Sequence, residues 1–260
     1  MPAAGLDLAQ ARILVTNDDG IRAEGLALLE RVARSFSKDV WVVAPEIEQS
    51  GAGHSLTLRV PLRIRKITRR RFAVGVPSTD CVLLAVREIM RDRKPHLVLS
   101  GINRGGNMGE DVTYSGTVAA AMEGTLLDVP SIALSLAVST EGRPAWDAAE
   151  RWSVAVIRRL AAIEWPAHTL MNVNIPNLPV DKITGIAAVR QGRRKIGGDL
   201  VAATDPRGRP YYWIGPVREE DTKEPGTDIH AVTRGAVAVT PIHLDFTDGP
   251  ALSRLQGVFA

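Results

Sequence analysis

The chain has one cysteine, Cys81, in 260 residues. That excludes an intrachain disulfide framework and leads one to expect a reducing compartment. No histidine stands beside it in sequence, so Cys81 is expected to face the core at the start of a helix rather than act as a nucleophile. Aromatic residues make up only 5%, and no basic stretch interleaves with them, which argues against a nucleic-acid polymer as partner. The net charge of +3 is small for a polyanion surface but compatible with anionic small molecules. Long apolar runs are missing, and Met1 to Gln10 has neither a basic nor an apolar stretch of a signal peptide. A membrane partner is therefore not expected, and the expected location is cytoplasmic. The five histidines lack the short spacing of a helical zinc motif, and only His54 lies near a segment of chemical interest. No G-x-G-x-x-G follows the first apolar run, which removes the turn a dinucleotide pyrophosphate requires.

Three polar segments are present, each placed directly or shortly after an apolar run that reads as a buried parallel strand. Asn17-Asp18-Asp19-Gly20 follows Ile13-Leu14-Val15, Gln49-Ser50-Gly51 comes after Val40 to Ala44, and Ser100-Gly101-Ile102-Asn103 follows Leu97-Val98-Leu99. In an open α/β sheet the carboxyl ends of parallel strands share one crevice, so distant loops converge there. The carboxylates of Asp18 and Asp19, the Ser50 hydroxyl and the Asn103 amide oxygen are hard ligands. They suit Mg2+ or Mn2+, with Ca2+ also acceptable, rather than zinc. The competing reading is a simple turn, because Asn, Asp and Gly are the usual turn formers.

The segment Thr113-Tyr114-Ser115-Gly116-Thr117 leads into an alanine-rich stretch of high helix propensity, Val118 to Leu126. A cap by Ser115 or Thr113 would leave free N–H groups at a positive helix end, and Gly116 would let a phosphate approach the backbone. The hydroxyls of Ser115 and Thr117 can add donors, and the amides of Arg104 to Gly109 can wrap an anion as a nest. An ordinary serine cap is the alternative.

The length allows one large α/β unit or a core with an appendage, and the second is expected. Spacing predicts helices over Gly25–Phe36, around Val82–Met90, and through Trp152, Val156, Leu160 and Ile163. The alternation of Leu56, Leu58, Val60, Leu62 and Ile64 predicts extended antiparallel structure, and Arg69-Arg70-Arg71 a turn before Phe72. From Gly185 on, glycine, proline and charge become frequent. The expected division is therefore a core over 1–184, a β-rich appendage over 185–245 holding Tyr211–Ile214 and Val237–Thr240, and a tail over 246–260. Those two apolar strands need a partner surface, since a lone two-stranded ribbon is marginal in water.

Several ordered motifs together resemble the bacterial survival protein E group of metal-dependent 5'-nucleotidases. They are Val15 to Ile21, Val43-Ala44-Pro45 with Gln49-Ser50-Gly51 and Ser55-Leu56-Thr57, Ser100 to Asn103, and Tyr114 to Gly124. Asn172-Val173-Asn174-Ile175-Pro176, Thr227-Asp228 and Thr240-Pro241-Ile242 extend the likeness over nearly the whole chain. The departures are the extra Met1 to Gln10 and Glu24 where a proline is common.

The resemblance implies a Rossmann-like, mostly parallel α/β sheet flanked by helices, with a smaller C-terminal β-hairpin appendage. It implies one divalent cation per subunit on Asp18, Asp19, Ser50 and Asn103, and phosphate held near Asn107 and by Ser115, Gly116 and Thr117. A nucleoside 5'-monophosphate as substrate, and dimers or tetramers built by reaching arms, follow from the same likeness. The expected chemistry is metal-assisted phosphomonoester hydrolysis, with Asp18 mainly a ligand and Asp19 a base or water-positioner. A nucleotide- or metal-binding module without catalysis is the alternative.

Overall fold

The computed structural model describes residues 5–138, 142–196, 200–214 and 218–259. In chain order the strands and helices of the first half are β1 (Arg12–Thr16), α1 (Glu24–Arg34), β2 (Asp39–Pro45), β3 (Ile64–Thr68), β4 (Arg71–Val74), α2 (Ser78–Leu84), β5 (Leu97–Arg104) and α3 (Gly116–Leu126). Then come β6 (Ser131–Ala137), α4 (Trp146–Ala161), β7 (Thr169–Pro176), β8 (Gly185–Ala188), β9 (Arg194–Ile196), β10 (Leu200–Thr204), β11 (Pro210–Ile214), β12 (Arg218–Glu220), α5 (Asp228–Thr233), β13 (Ala236–His243) and α6 (Gly249–Phe259).

Nine strands form one sheet in the order β3-β4-β2-β1-β5-β6-β7-β13-β8. The run from β4 to β7 is parallel throughout, while β3 at one edge runs antiparallel to β4, and β13, with β8 parallel beside it, runs antiparallel to β7. Helices cover both faces, so the central strands are apolar on both sides. On β1, Ile13 and Val15 pack under α1 and α4, whereas Leu14 packs under α2 and α3 with Cys81. Helix α1 meets this demand with Leu26, Leu29, Val32 and Ala33, all buried at helical spacing.

The chain order reverses at β1, which has β2 on one side and β5 on the other. Loops leaving β1 and β5 therefore diverge and open a crevice between them, the place where ligands bind in such sheets. This is the position of Asn17–Gly20 and of the segment after Ser100.

Two expectations are corrected. The alternating residues Leu56 to Val60 form no strand, and Leu58 is 84% exposed. Regular pairing starts only at Ile64, because its partner Val74 is the last residue of β4 and nothing beyond it continues the ladder. Val237–Thr240, expected in the appendage, belongs to β13 of the main sheet, paired with β7 at Val239↔Val173, and β8 pairs beside it at Val237↔Ile186. Burial on the parent sheet thus accounts for its apolar character. What projects from the sheet is the stretch between β8 and α5, containing the hairpin β10–β11 and the separate β9–β12 pair. The arginines at 69–71 also divide. Arg71 opens β4 and bonds to Glu30 and the Ile21 carbonyl, while Arg70 lies over the Trp41 ring and bonds to Asp39.

Candidate metal and phosphate site

The loop after β1 is built around buried polar groups. Asn17 is fully buried and its Nδ2 donates to the Gly20 carbonyl at 3.1 Å, closing the turn. Gly20, at φ +100°, takes a conformation L side chains rarely adopt. Asp18 is buried, and its Oδ1 accepts from the Thr117 hydroxyl while the Thr117 N–H also donates to the carboxylate. The carboxylate of β1's loop therefore lies on the first turn of α3. Gly116 makes that approach feasible, since a Cβ there would stand 2.7 Å from both Cβ and Oδ2 of Asp18.

Asp19 reaches the other wall of the crevice. Its carboxylate accepts the N–H of Arg104, the residue after Asn103 on β5. Between Ser100 and Asn103 the register of β5 against β6 shifts, and the Gly101–Ile102 peptide is cis. A register shift of this kind re-aims side chains at a strand end. Asn103 Nδ2 donates to the Gly105 carbonyl at 2.8 Å, so its Oδ1 is left as an acceptor. The loop after β2 joins through the Gln49 N–H, which donates to the Asp18 carbonyl at 2.9 Å. Ser50 on that loop is exposed, and its hydroxyl donates to Glu48 at 2.8 Å.

Glu48 drew no attention in the sequence, yet its charge acts on both aspartates. Burial, with Asp18 and Glu48 nearby, pushes the Asp19 carboxyl up to about 7. Asp18 also lies above the ordinary carboxylate range, chiefly through burial, with the Thr117 hydroxyl pulling the other way. Two buried carboxylates with the charge of a third acid acting on them suit a positive partner. Nearby, Asn17 Oδ1, Thr16 Oγ1 and Ser100 Oγ are buried oxygens without hydrogen-bond partners. This all-oxygen donor set fits a hard divalent cation. Among the described residues no three or more His, Cys, Asp and Glu side chains close on one point. A cation here would thus take two carboxylates with neutral oxygens.

On the anion side, Ser115 is the N-cap of α3, its oxygen accepting from the Val118 N–H at 3.1 Å. Its hydroxyl proton remains available to a ligand. Thr117, expected as a phosphate donor, has its hydroxyl engaged by Asp18. Asn107 is buried on the far side of the glycine-rich segment. Its Nδ2 donates to Ser135 and its N–H to Asn174 Oδ1, each at 2.8 Å, and its carbonyl accepts from Asn172 and Asn174. His54 pairs with Glu123 at 3.1 Å, two turns along α3 from Gly116, and so anchors the Ser50 loop rather than entering the crevice.

A family model described as Survival protein SurE matches residues 13–198, a span that holds every residue named in this site. The chain belongs to the SurE family. Two curated SurE relatives, both called 5'-nucleotidase SurE, extend the likeness to full length. The one from Paramagnetospirillum magneticum is 55% identical, covering 97% of each chain. The one from Rhodospirillum rubrum is 57% identical, covering 97% of this chain and 98% of its own. The crystal structure of the SurE protein from Aquifex aeolicus superposes with a TM-score of 0.84 at 41% identity, over 95% of this chain and 99% of that one.

Proposed function

We infer that this chain is a divalent-metal-dependent phosphomonoesterase that converts nucleoside 5'-monophosphates to nucleoside and phosphate. One observation carries the reading: the carboxylate of Asp18 is seated on the first turn of α3, so a cation position and an anion position share one crevice. The relatives named as 5'-nucleotidases supply the substrate class.

In this reading Asp18, Asp19, Ser50 and Asn103 hold one cation per subunit, Mg2+ or Mn2+, with Ca2+ also suited to the donor set. When bound, such an ion polarises a phosphoryl oxygen and acidifies water. Everything else falls to the protein. Thr117 fixes the orientation of Asp18 through its hydroxyl and N–H. Ser115 donates its free hydroxyl proton to a phosphoryl oxygen, and the Gly116 N–H faces the same charge at the positive end of α3. Asn107 holds the approach from the glycine-rich side. Asp19, on the opposite wall, receives the proton of the attacking water or positions that water.

Assembly belongs to the same reading. Trp213 and Ile214 on β11 are 65% and 72% exposed, and α6 has no buried residue although Leu252, Leu255, Val258 and Phe259 lie on it. A second copy of the chain is the occupant we assign, in a homodimer or homotetramer. A cytoplasmic location accords with the lone buried cysteine, and among the described residues no helix is long and apolar enough to cross a membrane.

The test is phosphate release from nucleoside monophosphates after chelation, then with Mn2+ or Mg2+ restored. Release that returns with the metal is expected. A protein that binds metal and nucleotide but liberates no phosphate would be a binding module instead.

A further inference from the structure

Asn107 and Ser115 lie at the two ends of a segment with little regular structure of its own. It follows Gly105-Gly106, and its only regular structure is a 3-10 turn over Gly109–Thr113. Two buried charged residues from beyond β8 grip its middle.

Asp228, fully buried at the start of α5, accepts the Gly109 N–H on Oδ2 at 3.0 Å, and the Gly192 and Ile229 N–H groups on Oδ1 at 2.8 Å each. Arg194, at the start of β9, places Nε 3.0 Å from Asp111 Oδ2, with both side chains buried, and its N–H donates to Glu110. The Asp111 carbonyl in turn accepts the N–H groups of Tyr114 and Ser115, each at 3.0 Å. A displacement of Asp111 is therefore transmitted to the α3 cap. Two glycines allow the grip to close. A Cβ on Gly109, which sits at φ +55°, would stand 2.8 Å from the Arg194 nitrogen, and one on Gly192 would stand 2.8 Å from Asp228 Oδ1.

We propose that Asp228 and Arg194 are positioning residues for phosphate: they lock the Gly109–Asp111 turn so that Ser115 and Asn107 present their donors to the same anion. Buried carboxylates and ion pairs contribute little net stability but can specify one conformation among several, which is what a glycine-rich turn between two ligand groups requires. This inference rests on the phosphate reading given above.

The test uses the Mn2+-loaded enzyme and three variants. Asp228→Asn is isosteric but replaces one acceptor with a donor, so two donors meet at one of the three N–H groups. Arg194→Lys keeps the charge and loses the planar guanidinium that reaches Asp111. Ser115→Ala removes the cap hydroxyl itself. Inorganic phosphate affinity and Mn2+ affinity are measured by calorimetry, alongside KM and kcat. For Asp228→Asn the phosphate Kd and the KM are expected to rise about tenfold, the scale of one charge-assisted hydrogen bond lost, with Mn2+ affinity unchanged. Arg194→Lys should show a smaller shift of the same kind, and it decides the matter if Asp228→Asn does not fold. The proposal is overturned if folded clamp variants bind phosphate like the parent while Ser115→Ala does not, or if Mn2+ affinity falls in step with phosphate affinity. If Ser115→Ala itself leaves phosphate affinity intact, the assignment of the grip fails first and takes the clamp with it.

Discussion

The crevice at the carboxyl end of β1 and β5 and the hairpin β10–β11 are opposites in composition and exposure. In the crevice, Asn17, Asp18, Ser100 and Thr117 are polar and buried. On the hairpin, Leu200, Tyr212, Trp213 and Ile214 are apolar and exposed. Each arrangement is unfavourable in the isolated chain. Buried acids lose hydration without a countercharge, and exposed aromatics keep apolar area in water. On the reading proposed above, the two regions call for different kinds of partner: a small hard cation in one case, another copy of the chain in the other.

The largest effect should come from the crevice. Asp18→Asn or Asp19→Asn removes charge from the cation position and should lower turnover by roughly three orders of magnitude or more, since the metal supplies several kcal/mol of transition-state stabilisation. The circular dichroism spectrum should be unchanged, and Asp18→Asn should show the greater loss of metal affinity. Near-parental phosphatase activity in either variant at saturating metal would mean that the acids serve the fold alone.

Next comes the hairpin. Because β13 belongs to the main sheet, a deletion must spare it, so the relevant variant replaces Leu200–Ile214 with a short linker. Light scattering at micromolar concentration should show a dimer or tetramer for the parent and a smaller species for the deletion, with activity reduced but metal affinity kept. A monomeric parent would break the comparison, as its hairpin would then tolerate exposure without a partner.

The smallest effect is a pH dependence. Asp19 is raised in the folded chain from 3.8 to about 7, so in the unfolded chain it loses its proton at lower pH than in the folded one. The chelated protein is then most stable below about pH 4 as far as this group is concerned, and loses stability as pH rises through about 7, by a few kcal/mol at most. Saturating Mn2+ should cancel that loss. Thermal melts from pH 5 to 8 with chelator and with Mn2+ give the measurement, and superimposable slopes would refute the assignment of the missing partner as a cation.

Much of this was legible in the sequence because it is local. An apolar run followed by Asn-Asp-Asp-Gly, or a serine followed by glycine and an alanine-rich stretch, states strand end and helix cap in a few residues. Partners distant in sequence were not legible. Val237–Thr240 reads the same whether it pairs in a hairpin or with Val173 and its neighbours across the sheet. Leu56, Leu58 and Val60 alternate as a strand would, yet no neighbour offers them a ladder. The Thr117 hydroxyl could not be assigned to Asp18 rather than to phosphate, since 99 residues separate them. Nothing in the sequence around Thr227-Asp228 points to Gly109, 119 residues away, whose N–H the Asp228 carboxylate accepts.

The chain leaves the sheet at β8 and re-enters it at β13, the adjacent parallel strand, with α5 as the return. Everything from β9 to β12 is therefore an insertion in a single crossover, its two ends fixed by strands that do not depend on its length. The hairpin tip can lengthen, shorten or change its surface without disturbing the register of the sheet. If the hairpin is the assembly arm proposed above, a graft of one relative's β10–β11 onto another should transfer the mode of association while β9 and its contacts to the Gly109–Asp111 turn stay in place.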